Sequence, residues 1–277
     1  MKTTKDPPYG FCRRRPRVHK RAFSAVMLAV CAVSIAGAGL KAVDKAEKHN
    51  GTAKGAVQEN AIAAAEADDS YRYYPATIGN ILYIKISKKS EPGRQLFVKV
   101  QVVRIEKKEE VEYYYFFSPK VNVRYLMGID KRDGVYMGLI KYPIPLFGFS
   151  VDVNIKPKMR ILRFPLKAGD KWHYEGKARA HLFFMPVTRD IKADFEVVER
   201  VPMKTAAGDI DTYHLKVVLE LGDGKGATTE HYWYGKDIGY SVADTSDYCA
   251  EIAGYSIFNE QEGRWIEKLP ETPEKYE

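Results

Sequence analysis

From position 71 onward the chain alternates apolar and polar residues with a period of two, which is typical of half-buried β-strands. In residues 96–104 (LFVKVQVVR) the apolar side chains at every second position share one face. The same alternation predicts strands over residues 81–86, 111–117, 135–141, 190–200, 211–221 and 227–234. No helical periodicity of twelve or more residues follows position 71. The pattern therefore predicts an all-β antiparallel fold: a curved sheet that forms an open or closed barrel, or a sandwich.

Glycine and proline mark the turns between these runs. An aromatic-Pro element ending in Gly and then Asn or Asp occurs twice, ninety positions apart, just before predicted strands. Proline fixes φ and glycine permits a left-handed backbone, so both copies suit a strand entry, and a duplicated half-domain is the alternative. The predicted structural turn residues are Pro75, Gly79, Pro165, Gly169, Gly208 and Gly239.

The N-terminal part has the three regions of an export signal. Residues 13–21 (RRRPRVHKR) are strongly basic, and nineteen uncharged residues follow at 22–40. Ala36-Gly37-Ala38 has the small-x-small pattern of a cleavage site. We predict an exported, periplasmic protein, either freed by cleavage after Ala38 or tethered to the inner membrane by residues 22–40, with the basic flank left in the cytoplasm.

Charge and composition divide the chain further. Of the formal charge of +8, residues 1–38 contribute +7, through eight basic residues and one acidic residue. The nearly neutral remainder lacks the basic surface that phosphate binding needs, so nucleic acid is not an expected partner. We predict a signal peptide or N-terminal membrane anchor at 1–42, a flexible linker at 43–70, a β-sheet domain at 71–265 and a charged tail at 266–277. Membrane contact is expected only through the N-terminal segment.

Aromatic side chains are abundant, with 19 Tyr and 12 Phe. Pairs of them alternate along single predicted strands, so each pair shares a face. Such faces either line an apolar cavity that binds a lipid-like ligand or fill an ordinary core. The candidate ligand-binding residues on these faces are Trp172, Tyr174, Tyr232, Tyr234, Tyr113 and Tyr115.

No catalytic, metal or cofactor motif is present in the sequence. There is no G-x-S-x-G turn, no phosphate-binding glycine loop and no Cys-x-x-Cys pair. Histidines at the usual i, i+2 or i, i+4 ligand spacings are also missing, so no metal ligand is predicted. The histidines at 173 and 231 are expected to point away from the neighbouring aromatic faces, toward solvent. Four histidines fall in predicted strands: His173, His181, His214 and His231.

Three further segments carry a family resemblance: residues 164–174 (FPLKAGDKWHY), 204–213 (KTAAGDIDTY) and 232–240 (YWYGKDIGY). They resemble the F-P-L-x-x-G-x-x-W-x-Y signature, the T-P-A-G hairpin and the aromatic strand ending in G-[VI]-G of a bacterial exported domain family of unknown function. Ala206 stands where that hairpin usually has proline. The resemblance implies an exported antiparallel sheet curled around an apolar interior, with no established activity and no catalytic residue.

Three functions remain open at this stage. The leader, the aromatic faces and the resemblance favour a non-enzymatic exported cell-envelope protein that binds an apolar ligand or an envelope component. The alternative is a structural or assembly protein of the envelope with a filled core. A hydrolase without a recognisable motif is the least favoured.

Overall fold

The structure is a computed structural model, and it describes residues 69–91, 93–108, 111–144, 149–182, 185–222, 224 and 226–276. The predicted signal or anchor at 1–42 and the predicted linker up to residue 68 lie outside the described residues.

The described residues form thirteen strands and two short 3-10 helices. The strands are β1 (Ile81–Lys88), β2 (Gln95–Lys108), β3 (Val111–Ser118), β4 (Val123–Asp130), β5 (Gly134–Ile144), β6 (Phe149–Arg163), β7 (Lys171–Leu182), β8 (Met185–Thr205), β9 (Gly208–Glu220), β10 (Thr228–Gly235), β11 (Gly239–Asp244), β12 (Tyr248–Asn259) and β13 (Arg264–Lys268). The 3-10 helices are Ser70–Tyr73 and Pro273–Tyr276. The prediction of an all-β antiparallel fold is confirmed.

The sheet closes on itself into a barrel. Each strand pairs with the next along the chain, and β1 pairs with β12 in a register that sets Ile81 opposite Ser256. Twelve strands therefore form the ring. The other edge of β12 is shared, because its first half pairs with β11 and its second half pairs with β13. β13 is thus an extra strand attached to the ring.

The interior of the barrel is filled by the alternate residues of the strands. β8 shows the rule most clearly, since Ile191, Ala193, Phe195 and Val197 are buried while the residues between them are mostly exposed. Burying an aliphatic or aromatic side chain of this size stabilises the fold by about 1.5–3 kcal/mol. The inward face of one strand after another thereby contributes to a single continuous apolar core.

The two copies of the repeated turn make the same contacts. In the first copy Gly79 N–H donates to Val102 O (3.0 Å) and Val102 N–H donates to Asn80 O (3.0 Å). In the second, Gly169 N–H donates to Val197 O (2.7 Å) and Val197 N–H donates to Asp170 O (2.9 Å). Both glycines have positive φ, +93° and +89°, which favours a residue without Cβ. Directly after the valine, each neighbouring strand has a register shift typical of a β-bulge.

Residues before β1 cover one end of the barrel. Tyr73 and Tyr74 are buried, and the Arg72 guanidinium holds Asp237 in the turn between β10 and β11, with an Nε–Oδ1 distance of 2.6 Å. Asp237 N–H in turn donates to Arg72 O (2.8 Å). Ser70 is buried as well, and its Oγ accepts a hydrogen bond from Leu166 N–H (3.0 Å). The sequence predicted that the domain begins at position 71. The folded part begins slightly earlier, since Ser70 is already buried.

The predicted charged tail at 266–277 is part of the folded domain. β13 runs to Lys268, and Tyr276 is only 3% exposed. Its ring packs edge-on against Tyr83 (5.5 Å between centroids) and Phe97 (5.2 Å) on the outside of β1 and β2. A single aromatic residue thus anchors a segment whose composition is otherwise charged, so a domain boundary at 265 is too early.

Candidate ligand site in the barrel interior

Two of the predicted aromatic residues lie side by side on the inward face of β7. Trp172 stacks on Phe195 of β8 with 5.1 Å between ring centroids, and its Nε1 donates to Arg160 O (2.9 Å). The Tyr174 hydroxyl donates to Pro157 O (2.7 Å), and its ring lies across the space beside Gly176. Both polar groups are satisfied by backbone carbonyls of β6, so these side chains are held as parts of the wall.

Tyr113 and Tyr115 lie on the outer face of β3, and not on the apolar interior face that the sequence predicted for them. Cations cover their rings, with Lys158 Nζ 4.3 Å from the Tyr113 centroid and Arg104 Cζ 5.5 Å from that of Tyr115. The buried positions of this strand are Tyr114, Phe116 and Ser118 instead. The alternation is ambiguous because residues 113–117 are all aromatic.

The interior contains a cluster of tyrosines around Tyr234 of β10. The ring centroids of Tyr74 and Tyr240 lie 6.1 Å and 6.3 Å from that of Tyr234. Phe116 stacks on Tyr125 at 5.1 Å and contacts Tyr74 at 6.0 Å. Of these five residues, the sequence reasoning found only Tyr234. Tyr125 and Tyr240 lie on strands that it did not identify, and Tyr74 precedes the first strand.

Two phenol hydroxyls in this cluster lack a hydrogen-bond partner among the described residues: those of Tyr234 and Tyr240. Burial raises the pKa of both side chains well above the usual value, so both stay neutral donors. A buried hydroxyl left unpaired costs about 1–3 kcal/mol. A water molecule or the polar atom of a ligand would remove this penalty.

A carboxyl group also points inward, two residues before Tyr232 on β10. Glu230 is 6% exposed and accepts a hydrogen bond from the Tyr232 hydroxyl. Burial raises the pKa of Glu230, and the hydrogen bond from Tyr232 partly offsets that rise. Glu230, Tyr232 and Tyr234 share the buried face of β10, so this face carries three side chains with polar atoms. Glu230 falls on the alternation of the predicted strand 227–234 but is not among the predicted site residues.

Small cavities adjoin this cluster at the covered end of the barrel. One is lined by residues that include Tyr74, Phe116, Tyr125 and Tyr240, and the other by residues that include Tyr71 and Tyr114. Each has a volume of about 30 Å³. Because a water molecule needs at least about 10–15 Å³, each has room for no more than two or three waters. The aromatic side chains at this end fill the space instead of lining an open chamber.

A wider groove, about 460 Å³, runs where β7, β8 and β9 meet. Four of its charged or titratable side chains are paired, with Lys171 Nζ 3.0 Å from the Glu196 carboxylate and His173 Nδ1 2.7 Å from that of Asp194, and Lys216 also lines the groove. His173 is exposed and points away from Trp172, as predicted. The exposed side chains that line it belong to the outer face of the sheet, so the groove lies outside the apolar interior.

Two further histidines meet in a contact that the sequence analysis did not predict. Strand pairing brings His214 of β9 and His231 of β10 together on the outer face, with 2.8 Å between Nε2 and Nδ1. His214 is buried, its ring stacks on Trp233 at 4.4 Å, and His231, expected to face solvent, is half-buried. The described residues contain no group of three or more His, Cys, Asp or Glu side chains placed to hold a metal ion.

Within the described part of the chain, none of the helices has the length and apolar character needed to span a membrane.

No protein-family model and no curated protein matches the chain. Among solved structures it is similar to a candidate exported protein with a YmcC-like fold from Bacteroides fragilis (13% identity, 66% of this chain and 97% of that one, TM-score 0.46). It is also similar to a candidate lipoprotein from Parabacteroides distasonis (13% identity, 66% and 97%, TM-score 0.45) and to the hypothetical lipoprotein YmcC from Escherichia coli (8% identity, 73% and 97%, TM-score 0.38). With TM-scores below 0.5, these similarities assign the chain to no family and carry no argument about its role.

Proposed function

We propose that this chain is an exported, non-enzymatic protein of the bacterial cell envelope whose barrel is a packed structural or assembly domain. The observation that carries this proposal is the filling of the barrel by its own inward-facing aromatic side chains. Export is supported by the basic stretch 13–21, the uncharged stretch 22–40 and the small-residue pattern at 36–38.

The volumes of the interior cavities favour a packed domain over a lipid container, since the groove of about 460 Å³ lies on the outer face of β7, β8 and β9 and not in the barrel interior. Pockets for lipid-sized or drug-sized ligands usually measure about 300–1,000 Å³. The cavities beside Tyr74 and Tyr114 measure about 30 Å³ each, which is smaller by an order of magnitude. The buried carboxyl of Glu230 is also out of reach of a substrate in solution, so it does not suggest an acid–base catalyst.

The outer surface offers a region through which such a protein would contact envelope components. Ile78 is 54% exposed and Trp265 of β13 is 48% exposed. They are neighbours, because the Trp265 ring lies over Gly79, the residue after Ile78. Val103, at the bulge of β2, is exposed next to the same turn. Exposed apolar residues that adjoin one another are more informative about contacts than isolated ones.

Native mass spectrometry of the protein purified from the envelope tests the packed-domain proposal. The expected mass is that of the polypeptide alone, and a titration with the fluorescent apolar probe N-phenylnaphthylamine is expected to show no saturable binding. A co-purifying lipid, or saturable uptake of the probe that competes with a fatty acid, would contradict the proposal.

Location is tested separately by a C-terminal alkaline phosphatase fusion, which is active only outside the cytoplasm. We expect activity with the intact leader and loss of activity when residues 13–40 are deleted. An inactive, cytosolic fusion of the full chain would refute export.

A second candidate function is the binding of a small apolar ligand that carries a hydrogen-bond acceptor. The specific observation in its favour is the pair of unpartnered hydroxyls on Tyr234 and Tyr240. Under this alternative the probe titration saturates, and the double change Tyr234→Phe/Tyr240→Phe weakens binding of a fatty acid more than that of a pure hydrocarbon.

A further inference from the structure

Three apolar side chains face solvent around the turn at Gly79, at the covered end of the barrel. Ile78, Val103 and Trp265 are between 44% and 54% exposed, and the Trp265 indole lies over Gly79. We call these three residues the end patch. We propose that the end patch docks onto the surface of the lipid bilayer that holds residues 22–40, as a contact additional to the N-terminal segment itself. This inference rests on the proposed export and on retention of that segment as an anchor.

The chain enters the folded domain at the end of the barrel that carries the end patch. Gln261, in the turn between β12 and β13, donates a hydrogen bond from Nε2 to Asp69 Oδ1 (3.2 Å). Lys236 Nζ also holds the Asp69 carboxylate, at 2.7 Å. β13 follows the turn that contains Gln261, and its second residue is Trp265. A chain that arrives from the membrane through residues 41–68 therefore reaches the barrel on the side of the end patch.

The tether decides how strong the contact with the bilayer has to be. Residues 41–68 connect the predicted anchor to the domain, and a flexible chain of that length has a root-mean-square span of about 30 Å. Tethering by a short flexible linker gives an effective concentration on the order of millimolar. Three apolar side chains are too few to hold a free protein on a membrane, but they suffice to orient one that is already tethered there.

The residue types at the end patch suit a bilayer interface. Tryptophan is enriched at the level of the lipid headgroups, because its ring is apolar and its N–H group is polar. Two arginines flank the patch in sequence, Arg104 after Val103 and Arg264 before Trp265, and their side chains are 66% and 72% exposed. Arginine covers apolar surface with its stem while the guanidinium stays among polar groups, so both can lie in the headgroup region.

The charges beside the end patch are balanced. Arg104 is paired with Glu106, and Arg264 is paired with Glu262. Attraction to anionic lipids depends on clusters of Lys and Arg, whereas these two pairs are neutral. We therefore expect docking through apolar side chains, with the same strength on neutral and on anionic vesicles and with little dependence on salt.

The size of the end patch favours a bilayer over a second copy of the chain. Stable protein–protein interfaces bury about 1,200–2,000 Å² in total. One fully buried aromatic side chain contributes about 150–250 Å², and Trp265 is the only aromatic residue among the three. The patch is thus too small for a stable dimer, whereas a tethered membrane contact needs no minimum area.

Fluorescence of the full chain, reconstituted in phosphatidylcholine vesicles through its N-terminal segment, tests the proposal. The sequence has three tryptophans, at 172, 233 and 265, so the anchor adds no tryptophan signal. A lipid brominated close to the headgroup quenches only an indole that reaches the bilayer. We expect this lipid to quench the share of the fluorescence that Trp265→Phe removes, and to quench Trp265→Phe itself not at all. Adding phosphatidylglycerol or salt should leave the quenching unchanged.

Ile78→Glu and Val103→Glu each place a charge in the end patch, and both are expected to reduce the quenching severalfold. Met185→Glu is the matched control, because Met185 is 66% exposed and lies at the opposite end of the barrel, where β8 begins. It should retain the quenching of the wild-type chain.

Three results would overturn the proposal: no quenching of the wild-type chain, quenching that persists in Trp265→Phe, or an equal loss in Met185→Glu. Protection of Trp265 from aqueous acrylamide without quenching by the brominated lipid would assign the end patch to a protein partner or a second copy, and would overturn it too. An active alkaline phosphatase fusion alongside any of these results would leave export intact, so failure of docking is distinguishable from failure of the proposed function.

Discussion

Tyr276 provides a direct test of the finding that the C-terminal segment belongs to the folded domain. In Tyr276→Ala the protein loses two edge-to-face aromatic contacts, to Tyr83 at 5.5 Å and to Phe97 at 5.2 Å. Such pairs contribute about 0.5–1.5 kcal/mol each, and burial of the ring adds about 1.5–3 kcal/mol. We therefore expect a loss of about 3–5 kcal/mol in the free energy of unfolding, in line with aromatic-to-alanine changes in cores.

The assay is urea denaturation followed by circular dichroism and by tryptophan fluorescence, with the midpoint compared at constant m-value. For a domain of this size, each kcal/mol lowers Tm by about 2–4 °C, so thermal unfolding gives an independent check. Tyr276→Phe keeps both ring contacts and is the matched control, and the exposed Glu274→Ala is the second control. If Tyr276→Ala unfolds at the same urea concentration as these controls, the tail is not part of the cooperative unit and the reasoning is refuted.

Three further predictions concern the covered end of the barrel and its wall. Arg72→Ala removes the charged hydrogen bonds to Asp237, so we expect the free energy of unfolding in urea to fall by about 2–4 kcal/mol. Arg72→Lys should restore only part of that stability, because lysine cannot make both contacts at once. Full recovery by lysine would contradict this prediction. Burial lowers the pKa of His214 from 6.5 in the unfolded chain to about 4 in the folded protein, so acid protonates the unfolded chain first. The free energy of unfolding is therefore expected to decline by at most about 3 kcal/mol as the pH falls from 6.5 to 4. His214→Gln should flatten that part of the pH–stability curve, and an unchanged slope would contradict the prediction. Tyr234→Phe removes a hydroxyl without a partner among the described residues, so we expect the free energy of unfolding in urea to be unchanged or raised by up to about 1 kcal/mol, whereas Tyr232→Phe should lower it. Equal losses in both variants would mean that the Tyr234 hydroxyl is satisfied in solution.

Period-two alternation predicts a strand well where only one face is buried. β8 is the clearest case, because every second residue from Ile191 to Val197 is buried and none of the residues between them is. β11 and β12 lack such a signal since both of their faces are covered, and β11 is buried at five of its six positions. A strand buried on both sides reads as a continuous apolar run, which is why these two were missed.

The sequence predicted only part of the candidate site, for two different reasons. In β3 both faces are aromatic, so the assignment of Tyr113 and Tyr115 to the interior depended on a choice that the pattern does not make. The contact between His214 and His231 depends on the register between β9 and β10, which no spacing along one strand reveals. The pattern along one strand predicts which of its residues share a face. Contacts between strands can be predicted only when the order of the strands and their register are known.

The closure of the ring by β1 and β12 has a consequence for biosynthesis. These strands lie near opposite ends of the domain sequence, since Ile81 pairs with Ser256. Contacts so distant along the chain form late, after the entropy of a very long loop has been overcome. A nascent chain in which β12 is still inside the ribosome lacks the partner that completes the barrel, so the sheet stays open and its backbone remains sensitive to protease until synthesis of the domain ends.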